Sequence, residues 1–327
     1  MEKYTFLLPA YKSLFFERAL ISIRNQKYSD FLCIVSDDCS PEPLKEIFDK
    51  VVGDDFRFSY RRNEENIGGG SLIAHWRLLV EMCQTEFFIM ASDDDIYEPE
   101  YLQQIDKLTS KYPDVNLFRS RVKIINEKEE VYWQEPIFEE KLDQLHFFRY
   151  VYPSCFAYCE AAYCYRTYAF REKGGYYEAP LAWHSDNATH ILMAENGCAF
   201  TKEVLFGFRV SGESISGSNS QKNAALKVEA TFLFWDWIRQ LVKNIPDDPI
   251  EKGLKGMALS DCKNEVDLNI NIHLIRCSRK DFFKYLKRAQ HELGLSRVML
   301  TYNWLTVQYY DIRKKIFHKW KHKLYMP

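Results

Sequence analysis

The chain has 327 residues, 46% hydrophobic and 16% aromatic, which suits one large α/β domain with an extension or two ordinary domains around a substantial core. Formal net charge is −2, yet from Asp311 to Pro327 six basic residues (Arg313, Lys314, Lys315, Lys319, Lys321, Lys323) stand against Asp311 alone, a surplus of five that leaves −7 on residues 1–310. A mildly acidic body with a basic end argues against a nucleic-acid binder, which spreads its basic residues across one face.

In chain order, Tyr4 to Leu8 predicts a short apolar strand stopped by Pro9, and Leu14, Phe15, Ala19, Leu20 and Ile23 then recur at helical spacing. Phe31 to Ser36 predicts a second strand, ending at Asp37-Asp38. Ser40-Pro41-Glu42 predicts a helix start, with Ser as N-cap and Pro at the first helical position. Phe56 to Arg61 predicts a third strand. Asn63, Asn66, Gly68, Gly69 and Gly70 form a glycine-rich loop, either plain turn chemistry or a place where backbone approaches a ligand. Glu86 to Ser92 predicts a fourth strand, followed by Asp93-Asp94-Asp95 and a helix opened by Pro99.

Farther along, Val115 to Ile125, Ala161 to Arg166 and Glu203 to Arg209 are strand-like. From about Gln221 the pattern turns helical, with Leu226, Ala230, Leu233, Trp237 and Leu241 on one stripe and a further helix over Lys280 to Leu293. Alternation of strand and helix predicts an α/β fold with a mostly parallel sheet and helices on both faces, whose ligands bind beyond the carboxyl ends of the strands.

Three candidate sites occupy such ends: Pro9-Ala10-Tyr11, Asp37-Asp38 and Asp93 to Asp95. Adjacent carboxylates repel unless a cation neutralises them, and hard oxygen ligands suit Mg²⁺ or Mn²⁺. A metal held by one or two carboxylates commonly holds substrate phosphates as well, which points to a nucleotide diphosphate. Acidic clusters at turns also arise merely because they solvate well and favour helix starts.

Nine cysteines without a CxxC pair, most flanked by apolar residues, read as free thiols in a reducing compartment; Cys155, Cys159 and Cys164 lack the spacing of a structural zinc site. The start Met1-Glu2-Lys3-Tyr4 carries no signal-peptide pattern, and no stretch approaches eighteen apolar residues, so a cytoplasmic protein without a transmembrane helix is expected. His146, His190 and His273 are single histidines, read as structural.

The order of these pieces resembles the family-2 glycosyltransferases of the GT-A fold. The resemblance runs through Leu7-Leu8-Pro9-Ala10-Tyr11, Ser22 to Phe31, Ile34 to Ser40, Asn66-Ile67-Gly68 and Ser92 to Pro99. It returns at Gly174-Gly175-Tyr176-Tyr177, His184-Ser185-Asp186, and Arg209 with Ser214. The resemblance implies a Rossmann-like GT-A domain over about 1–220, with a helical C-terminal region over 221–327. It implies that Pro9, Ala10, Tyr11, Asp37, Asp38, Asn66, Gly68, Asp93 and Arg209 serve the nucleotide-sugar donor, with Asp38 at a uracil-type base. Asp94 and Asp95 would hold Mn²⁺ or Mg²⁺, Asp186 would be the catalytic base, and Trp183 and His184 would line the acceptor site. Ser92 and Ser185 stand where the family commonly has acids.

The resemblance thus implies an inverting, metal-dependent transfer from a nucleotide-sugar, a UDP-sugar, to a hydroxyl of a glycan or lipid-linked acceptor in surface polysaccharide synthesis. A carboxylate within reach of the acceptor hydroxyl can take its proton as the bond forms. Two rivals share the features: a nucleotide- or sugar-binding scaffold without turnover, and a nucleotidyltransferase, although Pro9-Ala10-Tyr11-Lys12 is not a triphosphate loop. In the tail, Tyr309, Tyr310, Ile312, Ile316, Phe317, Trp320 and Leu324 alternate with lysines. This reads either as a basic amphipathic helix for a membrane surface or as a solvated helix packed on the body.

Overall fold

The structure is a computed structural model that describes residues 2–152, 156–157, 159–211, 221–246 and 253–325, without the side chains of 222, 311–312 and 314–325. Ser214 and Cys155 lie outside the described residues, as do most side chains of the basic tail.

The first half alternates as expected: β1 (Tyr4–Ala10), α1 (Phe16–Arg24), β2 (Phe31–Asp37), α2 (Leu44–Val52), β3 (Phe58–Arg62), α3 (Leu72–Met82) and β4 (Phe87–Met90). Next come β5 (Ile96–Tyr97), α4 (Tyr101–Lys111), β6 (Leu117–Ile125), β7 (Val131–Gln134), β8 (Lys141–Leu142), α5 (Gln144–Val151), β9 (Tyr163–Arg166), α6 (Thr167–Glu172), α7 (Ser185–Met193) and β10 (Cys198–Arg209). Four helices follow: α8 (Gln221–Asn244), α9 (Leu254–Leu274), α10 (Arg279–Leu293) and α11 (Arg297–Tyr325).

The sheet runs β3-β2-β1-β4-β9-β6-β10-β5. Strands β3, β2, β1 and β4 are mutually parallel, and β6 is parallel to β10, whereas β9 is antiparallel to both β4 and β6. The reversal of β9 matters for the site. Its beginning lies beside the end of β4 and opposite Arg119 near the start of β6, so residues just before Tyr163 reach the mouth at the carboxyl end of β4. At the opposite, amino ends of β1, β2 and β4, Tyr4, Phe31 and Phe87 are buried, and Phe6, Phe88 and Phe118 continue that core.

Several boundaries differ from expectation. Strand β1 passes through Pro9 to Ala10, pairing there with Ser36 and Asp37. Its ladder with β4 has already ended at Leu7–Met90, so a missing N–H is tolerated. Helix α2 begins at Leu44; in the turn before it the Ser40 hydroxyl donates to the Tyr11 carbonyl at 2.5 Å and accepts from the Glu42 N–H at 3.1 Å. Ile96-Tyr97 forms the short β5 against Phe206-Gly207 before α4 starts. On α8, Ala230 is buried as expected and Trp237 and Leu241 pack on the core, but Leu233 is exposed, and Ala224, Val228, Trp235, Ile238 and Val242 also face inward.

The C-terminal helices pack on the body. His184 lies flat against Phe234 of α8 at 4.8 Å, and Tyr152 meets the same ring at 6.0 Å. Among the described residues no helix is long and apolar enough to cross a membrane.

Candidate active site

The turn after β4 folds back on the end of β1. One Asp93 oxygen accepts from the backbone N–H groups of Tyr11 at 2.8 Å and Lys12 at 2.9 Å. Burial outweighs these two bonds and, with the neighbouring Asp94 charge, pushes Asp93 up to about 6. Asp95 is buried, accepts from the Arg209 N–H at 2.8 Å, and lies 2.7 Å from the Ser92 hydroxyl. Burial first, and then Asp94, hold its carboxyl well above the usual carboxylate range. Ser92 Oγ is also 2.7 Å from Asp94. One hydroxyl proton cannot fully satisfy both carboxylates, so the Ser92 donor is shared between Asp94 and Asp95.

Of the expected metal pair, Asp95 is held between Ser92 and the Arg209 backbone. Asp94 is half-buried, and among the described residues Ser92 is the one hydrogen-bond partner of its carboxylate. No three His, Cys, Asp or Glu side chains among the described residues converge on one point as a metal cage. A single available carboxylate fits a hard cation that takes its remaining ligands from phosphate and water.

The other strand-end acids are also occupied. Asp37 accepts from the Ser40 N–H at 2.8 Å and the Tyr60 hydroxyl at 2.5 Å, and pairs with Arg62. Asp38 accepts from Asn63 Nδ2 at 2.8 Å and from the N–H groups of Ile67 at 3.0 Å and Gly68 at 2.7 Å. A Cβ on Gly68 would lie 2.9 Å from that carboxylate. The close approach that needs glycine is therefore to Asp38 itself. Asn66 accepts from the Gly69 N–H at 2.5 Å, within the same loop. Pro9 and Ala10 are strand residues at the mouth, and the Tyr11 side chain is exposed there.

Arg209, expected at the donor, is instead a buried brace. Its guanidinium donates to the Asp94 carbonyl at 2.7 Å, the Asn126 carbonyl at 3.1 Å and the Glu129 carboxylate at 3.1 Å, and it lies over the Phe15 ring at 4.3 Å. It ties the acidic turn to the β6–β7 hairpin.

The segment before Asp186 is strained. Leu181, Ala182 and His184 all have left-handed φ, of 60°, 54° and 66°. Such residues cost of order 1 kcal/mol each, and they gather at functional sites. His184 is buried, bonds Thr231 of α8 at 3.2 Å, and is pushed down to about 3 by burial and then by His273, so it is neutral. Trp183 carries the Lys227 ammonium over its ring at 4.4 Å and meets His273 edge-on. Both residues expected to line an acceptor pocket thus face the C-terminal helices. Asp186, in the first turn of α7, accepts from the Asn187 N–H at 2.8 Å. Burial raises it above the usual carboxylate range, and His190 pulls it back.

Glu160, just before β9, has no counterpart among the expected site residues. It accepts from Tyr165 at 2.8 Å, Tyr176 at 2.6 Å and His190 at 2.8 Å. Tyr176 follows Gly174 and Gly175, whose φ of 86° and 79° turn the chain sharply. Its ring packs on Trp76 of α3 at 5.0 Å, and Arg77 of α3 pairs with Glu178. Helix α3 therefore joins the Asp38 loop at its start to the segment leading to Asp186.

The sequence pattern of glycosyl transferase family 2 matches residues 5–174, more than half of the chain. The chain belongs to glycosyl transferase family 2. This family-2 glycosyltransferase carries Asp186 beyond the matched segment. Among solved structures it is similar to TarS 1–349 of S. aureus in complex with UDP-GlcNAc, at 15% identity and TM-score 0.61 over 95% of this chain and 92% of that chain. It is also similar to the mannosyltransferase PcManGT from Pyrobaculum calidifontis in complex with GDP-Man and Mn²⁺, at 12% identity and TM-score 0.55 over 96% and 82%. At such identities the likeness establishes the fold. No curated protein sequence matches the chain.

Proposed function

We propose that this glycosyltransferase moves a sugar, with inversion, from a UDP-sugar to a hydroxyl of a glycan or lipid-linked acceptor in surface polysaccharide synthesis. The observation that carries the reading is the pair of differently placed carboxylates, Asp94 available at the strand-end turn and Asp186 at the start of α7. The donor diphosphate would lie beside the Asp93–Asp95 turn, with Pro9, Ala10 and Tyr11 at the nucleotide. Asp37, Asp38, Asn66, Gly68, Asp93 and Arg209 shape that mouth through the hydrogen bonds described above. Asp94, with Asp95 beside it, would hold Mn²⁺ or Mg²⁺, which when bound supplies positive charge for the leaving diphosphate. Asp186 takes the acceptor proton as the acceptor oxygen bonds to the anomeric carbon and the bond to the diphosphate breaks.

The test is calorimetric titration of UDP into wild type and Asp94→Ala, with and without Mn²⁺. Metal-dependent binding that the variant loses supports the donor site. Equal binding by both proteins sinks the assignment of Asp94. Ser92, the locked Asp95 and Ser185 favour one second reading, a donor-binding scaffold; donor binding without turnover on any acceptor would select it.

We also infer that α11 meets an anionic membrane surface from the cytoplasmic side. Val298, Tyr302, Leu305 and Tyr309 share an exposed face, and the basic tail continues the same helix. Unchanged liposome binding after deletion of residues 311–327 would dismiss this.

A further inference from the structure

Glu160 has no role in the donor assignments above, yet its side chain is only 9% exposed and three separate segments bond it. Two of the partners, Tyr165 and Tyr176, are phenols. The third is His190, the one side chain able to carry positive charge that bonds Glu160 among the described residues. A carboxylate this buried is costly unless a cationic partner and good hydrogen bonds compensate. Since the carboxylate accepts, the proton of this bond is on His190 Nε2.

The imidazole is held on its face as well as its edge. Tyr163 of β9 stacks on it with ring centroids 3.7 Å apart and planes 21° apart. His190 lies four residues after Asp186 on α7, so the two side chains are neighbours on one helix face. The titratable groups facing Asp186 are His190 from its own helix, Glu160 from the turn before β9, and Tyr176 from the double-glycine turn. Those facing His190 are Asp186, Glu160, Tyr163 and Tyr165.

We propose that His190, held by Glu160, is a positioning residue for Asp186: it supplies the positive partner that steadies the base as an oriented carboxylate at the start of α7. The proposal rests on reading Asp186 as the base. It explains how a buried carboxylate can stay competent to accept a proton. Burial pushes Asp186 up, His190 opposes that push, and Glu160 fixes the ring where it can do so.

The experiment is a carboxyl ¹³C NMR titration of the full chain labelled at aspartate, with Asp186→Asn identifying the signal. In His190→Gln the Asp186 midpoint moves to higher pH. In His190→Lys, which restores a positive charge, it stays near the wild-type position. An unmoved midpoint in the Gln variant, or an equal rise in the Lys variant, overturns the proposal; His190→Asn is the second neutral variant should Gln fail to fold. A kinetic arm follows UDP release from UDP-GlcNAc with Mn²⁺. His190→Gln should lose about tenfold more kcat/KM at pH 6 than at pH 8.5, because only a lost charge is pH-selective. An equal loss at both pH values would show packing alone and overturn the proposal. Turnover retained by Asp186→Asn would instead remove the base reading, while the titration would still report whether His190 and Asp186 are coupled.

Discussion

At the scale of single residues, the acids of the mouth differ by what already holds them. Asp37 and Asp38 were legible as strand-end acids, but pairing with Arg62 and the N–H groups of residues 67 and 68 depends on how a later loop returns. Gly68→Ala forces a Cβ to within 2.9 Å of the Asp38 carboxylate. We expect a loss of about 1–3 kcal/mol, read as a lower thermal midpoint, with weaker UDP binding as the loop shifts; an unchanged midpoint would show that the loop yields freely. Asp186→Asn keeps the shape and removes the base, so transfer should fall by at least about 10²-fold while UDP affinity stays within about threefold. Turnover near the wild-type level would remove Asp186 from that role. Because burial holds Asp186 high, the acid limb of the rate should lie above the ordinary carboxylate range: activity is present at higher pH and lost as pH falls through the raised value.

At the scale of elements, the parallel half was readable because apolar runs and turn residues alternate over the first 110 residues. The reversed β9 was not readable as such. Nothing in Tyr163-Cys164-Tyr165-Arg166 tells direction, and direction is what brings Glu160 to the mouth. The stripe on α8 was misjudged at Leu233 because the helix is apolar on more than one face. Its contact with the body has a titration signature. His184 and His273 are pushed down to about 3 and about 4, from an ordinary value of 6.5, by burial first. Their neutral forms belong to the folded state, so their contribution is present above pH 6.5 and is lost as pH falls toward the folded values. Each adds a slope of about 1.4 kcal/mol per pH unit. Asp93, raised to about 6, and Asp95 and Asp186, also raised by burial, act in the opposite sense. The histidine contribution is therefore read by difference: in urea unfolding at pH 4, 5 and 6, stability should rise less steeply with pH in His184→Phe than in wild type, by up to about 1.4 kcal/mol per pH unit; a slope unchanged in that variant would show that His184 does not titrate on unfolding.

At the scale of the molecule, we propose the division at about residue 220 as a change of architecture from sheet to helices, with the two parts folding together. Helix α8 covers His184 and Tyr152, and Lys227 covers Trp183. A 1–220 fragment would uncover these rings, each worth about 1.5–3 kcal/mol of burial. It should therefore be aggregation-prone or only partly folded by circular dichroism, and a cooperative, monomeric fragment would show the parts to be separable.

The left-handed residues before α7 also set an angle. Leu181, Ala182 and His184 cannot be absorbed into an extension of the helix, because their φ has the wrong sign. The first turn of α7 is therefore fixed in phase, like a gear held by a stop. A helix advances about 100° per residue. Adding or removing a single residue between 180 and 184 would swing Asp186 and His190 together through that angle and turn both away from Glu160, although every side chain in the site would still be present.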